Sequence, residues 1–95
     1  MIVAEFSITP VGEDEMRPFV DAAVEEVKNS GLKYEVDAMG TTFEGDIDQV
    51  LDVVKKAHQK IKEMGAQRVM TELRIDDKAE GVTMDEVVEG YRSSV

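Results

Sequence analysis

From Ile2 to Thr9 the chain alternates, with Ile2, Ala4, Phe6 and Ile8 on one side and Val3, Glu5, Ser7 and Thr9 on the other. A period of two predicts a strand with one buried face. Pro10-Val11-Gly12 breaks it. Beyond Asp14 and Glu15, residues Met16, Phe19, Val20, Ala23, Val24 and Val27 recur at helical spacing, with Pro18 confined to the first turn and Gly31 as a C-terminal stop. Alternation returns in Leu32, Tyr34 and Val36. After a small connection at 37–40, the β-branched and aromatic Thr41-Thr42-Phe43 completes a predicted hairpin, which Gly45-Asp46 ends. Ile47, Val50, Leu51, Val54, Ala57, Ile61 and Met64 form a second helical stripe that closes at Gly65. Val69, Thr71, Leu73 and Ile75 then alternate with Arg68, Met70, Glu72 and Arg74, predicting a fourth strand. Past a polar loop at 76–81, Thr83 and Glu86 have the spacing of a capping box. They precede a short stripe of Met84, Val87, Val88 and Tyr91 that Gly90 weakens.

This order predicts an α+β fold of the ferredoxin-like βαββαβ type. Right-handed crossovers would give a four-stranded antiparallel sheet with two helices on one face, plus a short C-terminal helix. A chain of 95 residues supports one core and is too short for two, so a single domain spanning 1–95 is expected. The sheet face away from the helices would carry Val3, Glu5, Ser7, Met70, Glu72 and Arg74, too apolar to be simply wet and too polar to be a core. A homo-oligomer, dimer or tetramer, in which a partner copy covers part of that face, is the expectation.

Composition narrows the chemistry. With 42% hydrophobic and 34% charged residues the chain is an ordinary soluble type, and no apolar run approaches the roughly 20 residues a bilayer requires. The start has no basic leader or cleavage site, and the lack of cysteine removes disulfides and thiolate metal sites, so a cytoplasmic location is expected. A net charge of -10 would repel a phosphate backbone, which argues against nucleic acid and suits a cationic ligand. His58 is the only histidine and lies at the edge of the second helical stripe, where a packed role outweighs a catalytic one. Carboxylate pairs such as Glu25-Glu26 and Asp76-Asp77 lack the spacing of a cation loop, and no metal, cofactor or catalytic group is expected.

The densest chemistry lies between Tyr34 and Asp46, where an aromatic, a thioether, two hydroxyls and an acid sit on a hairpin leading into a helix. Pairing would bring Ser7 and Thr9 to face Gly40 and Thr41, and Glu44 to face the beginning of the first strand. On the residues alone a plain structural hairpin and a ligand site both remain open.

Ser7-Ile8-Thr9-Pro10-Val11-Gly12, then Tyr34 and Met39-Gly40-Thr41-Thr42-Phe43-Glu44-Gly45, resemble the small thiamine-binding protein family over essentially the whole chain. The resemblance implies a ferredoxin-like fold, assembly into dimers or tetramers through the sheets, and binding of thiamine or a related pyrimidine without catalysis. Carried over by position, it implies ligand-binding roles for Ser7, Tyr34, Met39, Gly40, Thr41 and Glu44, and for Arg74 on the fourth strand. The family often places an arginine after that strand. Here Asp77-Lys78 stands there instead. Tyr34 would offer a face to the thiazolium cation, Met39 an adaptable wall, Ser7 and Thr41 hydroxyls to ring nitrogens, and Glu44 a charge-assisted contact to the aminopyrimidine. The alternative is a structural or regulatory assembly module that binds no thiamine. An enzyme of the acylphosphatase type is disfavoured, because Pro10-Val11-Gly12 is no phosphate-binding loop.

Overall fold

The computed structural model describes residues 1–91, and the last four positions of the expected 1–95 domain lie outside the described residues. Its elements are β1 (Ile2–Pro10), α1 (Arg17–Asn29), β2 (Tyr34–Val36), β3 (Thr41–Gly45), α2 (Ile47–Glu63), β4 (Val69–Asp76) and α3 (Met84–Val88). The strands form one antiparallel sheet in the order β2-β3-β1-β4, the ferredoxin-like arrangement that the alternating and helical periods predict.

Both long helices cover the same face. The core between them and the sheet holds Ile2, Ala4, Phe6 and Ile8 of β1, Phe43 of β3, Val27 of α1, and Val50, Val53, Ala57 and Ile61 of α2. Phe6 and Phe43 meet edge to face at 5.5 Å, a favoured aromatic geometry that locks the centre of the sheet. Pro18 sits in the first turn of α1, where its missing N–H has no intrahelical role, and Gly31 follows the helix with φ 77°. His58 reaches from α2 to β4, its Nδ1 sharing a 2.7 Å hydrogen bond with the Thr71 hydroxyl. That partly buried link gives the lone histidine a packing role.

Two boundaries depart from the sequence pattern. Leu32 continues the alternation on paper, yet strand pairing begins only at Tyr34, and Leu32 packs beside the core next to Gly45. The final helix ends at Val88, because Gly90 adopts φ 83°, and Tyr91 falls outside it at 82% exposure. Half of the expected capping box forms, with the Thr83 hydroxyl accepting from the Glu86 N–H, while the Glu86 carboxylate accepts from that hydroxyl instead of reaching the Thr83 N–H.

Register assigns the outer face. Val3, Glu5 and Ser7 stand opposite Asp76, Arg74 and Glu72 on β4, while Val3 and Glu5 stand opposite Glu44 and Thr42 on β3. Opposed residues share a face. Val87 of α3 borders a groove with Val3, Glu5, Arg74 and Asp76, which places α3 on this outer face at the end where β1 begins. The last helix thus packs on its own chain, with Val82 and Met84 buried.

Candidate functional site

β1 is longer than its neighbour on one side. Its pairing with β3 runs from Ile2 opposite Gly45 to Phe6 opposite Thr41, whereas its pairing with β4 continues to Pro10. Val11 N–H donates to the Arg68 carbonyl at 2.8 Å, so the odd-numbered residues of β1 turn their backbone groups to β4 and the even ones turn theirs to β3. Beyond Phe6, the N–H and C=O of Ile8 therefore face a place where β3 has already turned away. Among the described residues, no strand pairs with them there.

The turn at 37–40 keeps that place open. The Asp37 carboxylate accepts from the Met39 and Gly40 N–H groups, each at 2.9 Å, and the Asp37 N–H donates to the Gly40 carbonyl at 2.9 Å. An aspartate that folds the backbone onto its own side chain fixes the turn without help from packing. Gly40 is required for a different reason, since a Cβ built there would lie 2.8 Å from the Phe6 carbonyl oxygen. The hairpin can approach β1 this closely only without a side chain.

The result is a cleft of about 220 Å³ between the end of β1, the 37–40 turn and the N-terminal half of α1. Met16, Val20 and Val24, at successive steps of four along α1, form one wall; Val36, Met39 and Thr41 form the other; Phe6 to Thr9 line its floor. Met39 is 84% exposed at the rim. A second groove shares Val20, Val24 and Val36 with the first and runs on past Tyr34, Asp21 and Glu25. The pair thus forms a mainly apolar slot, with Asp37 and Thr41 in its lining and a backbone donor and acceptor in its floor, adjoining a groove with an aromatic ring, two carboxylates and two cations, Arg17 and Lys28, of which Arg17 bridges to Asp21 at 3.1 Å.

Four of the seven residues singled out in sequence line the cleft: Ser7, Met39, Gly40 and Thr41. Tyr34 lies in the adjoining groove. Glu44 is at the far end of β3, opposite Val3 and 7% exposed, and Arg74 stands opposite Glu5 on the outer face. Near Glu44, Lys33 bridges to Asp85 of the segment that forms α3 at 2.7 Å, and this hydrogen bond raises the lysine pKa above its ordinary value. The sequence reading missed the part that α1 plays. Its signal was the width of the stripe, because Met16, Val20 and Val24 add a second apolar row beyond what Phe19, Ala23 and Val27 need for the core.

Among the described residues no group of three His, Asp or Glu is placed to hold a metal, and no helix is long and apolar enough to cross a membrane.

Residues 4–92 match the profile of the thiamine-binding protein family. A UPF0045 protein of Clostridium perfringens is 45% identical over 86 residues, covering 90% of each chain, and one from Methanothermobacter thermautotrophicus is 40% identical over 81 residues, covering 82% of each. Among solved structures, a DUF77 domain from Bacillus cereus superposes with a TM-score of 0.91 at 42% identity, covering 98% of this chain and 91% of that one. A Thermotoga maritima protein named for thiamine biosynthesis and salvage superposes with a TM-score of 0.88 at 34% identity, covering 96% and 98%. By its sequence over nearly its whole length, this chain belongs to the thiamine-binding protein family.

Proposed function

We propose that residues 1–95 act as a single, non-enzymatic, cytoplasmic binding domain for thiamine or its pyrimidine moiety, working as a homo-oligomer in sequestration, salvage or delivery. The observation that carries the proposal is the Ile8 N–H and C=O, left without a strand partner on the β3 side, in the floor of a mainly apolar slot. A backbone donor and acceptor that face a cleft without a strand partner are available to a ligand, and a flat ring carrying an amino group beside a ring nitrogen takes both bonds at once. An aminopyrimidine is such a ring. The slot volume of about 220 Å³ falls below the roughly 300–1,000 Å³ of sites for drug-sized ligands, which suits one ring rather than two.

The rest of thiamine would then extend into the adjoining groove. There the Tyr34 ring favours a cationic thiazolium, Arg17 and Lys28 balance the Asp21 and Glu25 carboxylates, and the net charge of -10 draws the cation toward the protein. Met39, Gly40 and Thr41 serve the pyrimidine and Tyr34 the cation, Ser7 lines the slot with main chain only because its side chain shares the outer face with Glu72, and Glu44 and Arg74 lie outside both grooves. The family match and the thiamine-related name of the Thermotoga maritima relative support the same ligand class.

Titration calorimetry with thiamine, hydroxymethylpyrimidine and thiamine phosphates tests this directly. Binding of thiamine and hydroxymethylpyrimidine is expected, with Val20→Glu weakening both about tenfold by placing a charge in the apolar wall. Absence of heat and of any thermal shift at millimolar ligand would sink the proposal. In that case an assembly module without thiamine binding is the better reading, favoured by Met70, 52% exposed on the outer face of the sheet.

A further inference from the structure

The slot and the groove beside it differ in how their charges are matched. Along the groove Arg17 and Lys28 stand with Asp21 and Glu25, two cations against two carboxylates. The slot is unbalanced. Among the described residues that line it, Asp37 is the single charged side chain, with no lysine or arginine in the lining to offset it. That negative charge is left for whatever enters.

The turn at 37–40 accounts for Asp37 only in part. The Met39 and Gly40 N–H groups donate to one and the same oxygen, Oδ1, at 2.9 Å each, which holds the carboxylate against backbone that itself lines the slot. Oδ2 takes no hydrogen bond from the described residues. An asparagine closes a turn of this kind as an aspartate does, because its amide oxygen accepts the same two bonds. The turn therefore requires an acceptor at position 37 and has no need of a charge.

We propose that Asp37 is the residue by which the site distinguishes a cation from a neutral ring of the same shape. This rests on the thiamine reading above and assigns its charge selectivity to one carboxylate, where the acidity of the whole chain would act on any cation at any surface. Val36 lines both the slot and the groove, so Asp37, the next residue, stands at their junction. A ligand with one ring in the slot and a positively charged ring leaving toward Tyr34 crosses that junction. There it meets a carboxylate already fixed by two N–H groups, which does not have to be ordered on binding. Asp37 is exposed, so water and salt screen the attraction and keep it moderate. The class selected is a heteroaromatic cation, and a neutral aminopyrimidine gains nothing from this residue.

Calorimetry with thiamine, a permanent cation, and with hydroxymethylpyrimidine, the neutral ring alone, tests this as a ratio of affinities measured on each protein. Contacts common to the variants cancel in that ratio. In Asp37→Asn the preference for thiamine over hydroxymethylpyrimidine should fall roughly tenfold, whatever loss the two ligands share through the turn. Asp37→Ser, whose hydroxyl makes a weaker version of the same turn, should lower the ratio by a similar factor. Asp77→Asn removes the same unit of charge just beyond Asp76, which stands opposite Val3 at the end of β1 away from Ile8, and should leave the ratio unchanged. An unaltered ratio or an equal loss of both ligands in the two Asp37 variants overturns the charge role and leaves the binding site standing. An equal fall in Asp77→Asn overturns it in favour of net charge. An unmutated chain that binds neither ligand overturns the thiamine reading and this inference with it.

Discussion

At its loop end the β2–β3 hairpin holds Met39 at 84% exposure beside Gly40, and at its other end it holds Glu44 at 7% on a five-residue strand. The difference comes from what lies across from each. Near the loop, β3 turns away from β1 and leaves backbone groups of β1 facing an apolar slot. At the far end β3 stays paired with β1, α3 packs onto the outer face, and Lys33 bridges to Asp85. One end of the hairpin is thus kept open by backbone geometry. The other is closed by a short helix with little stability of its own, since five residues are well below the length at which an isolated helix persists.

If the two ends are independent, damage to one should not reach the other. Met84→Ala has the largest expected effect on stability, about 3 kcal/mol, because it empties a buried position under α3. Denaturant unfolding should register the loss, while affinity for hydroxymethylpyrimidine stays unchanged; a parallel drop in affinity would show that the ends are coupled. Gly40→Ala comes next, about 2 kcal/mol, since its methyl must push against the Phe6 carbonyl oxygen. Here calorimetry should show ligand binding lost together with stability, the reverse of the Met84 result.

Smaller changes sharpen the contrast. Thr83→Ala removes the hydroxyl that accepts from Glu86 N–H and should cost about 1 kcal/mol, read as faster hydrogen exchange in α3 with the cleft residues unaffected. The least effect is expected at the Lys33–Asp85 bridge, whose partners are exposed. The Asp85 hydrogen bond raises the Lys33 pKa, so its contribution is fully present below the ordinary value of 10.5 and disappears as pH rises through the higher folded value. Asp85→Asn should flatten that alkaline limb of a melting-temperature series, and an unchanged limb would assign it to other groups.

Much of this architecture was legible because the periods were clean. β1, α2 and β4 carry uninterrupted alternation or a single apolar stripe, and strand pairing follows from their order. Leu32 misled because alternation records which side a residue faces and not whether a neighbouring strand lies within hydrogen-bond reach. Tyr91 misled because Gly90, once at positive φ, ends the helix before the stripe does. The site was half legible. Ser7, Met39, Gly40 and Thr41 converge because the register of β1 on β3 brings them together, but Glu44 and Arg74 share a motif or strand with them without sharing a place. Nothing in one sequence states where β3 stops following β1. The unpaired backbone of Ile8 was therefore invisible, although it supplies the donor and acceptor on which the ligand proposal turns.

Gly40 has a consequence for how the domain could change over evolutionary time. The height of the slot is fixed by main chain pressed against main chain, so it does not depend on the side chains lining the rim. Met16 and Met39, both exposed and flexible, are free to vary without moving the floor. Selectivity among ring-shaped ligands can drift through the rim residues, while a single glycine holds the geometry of the pocket constant.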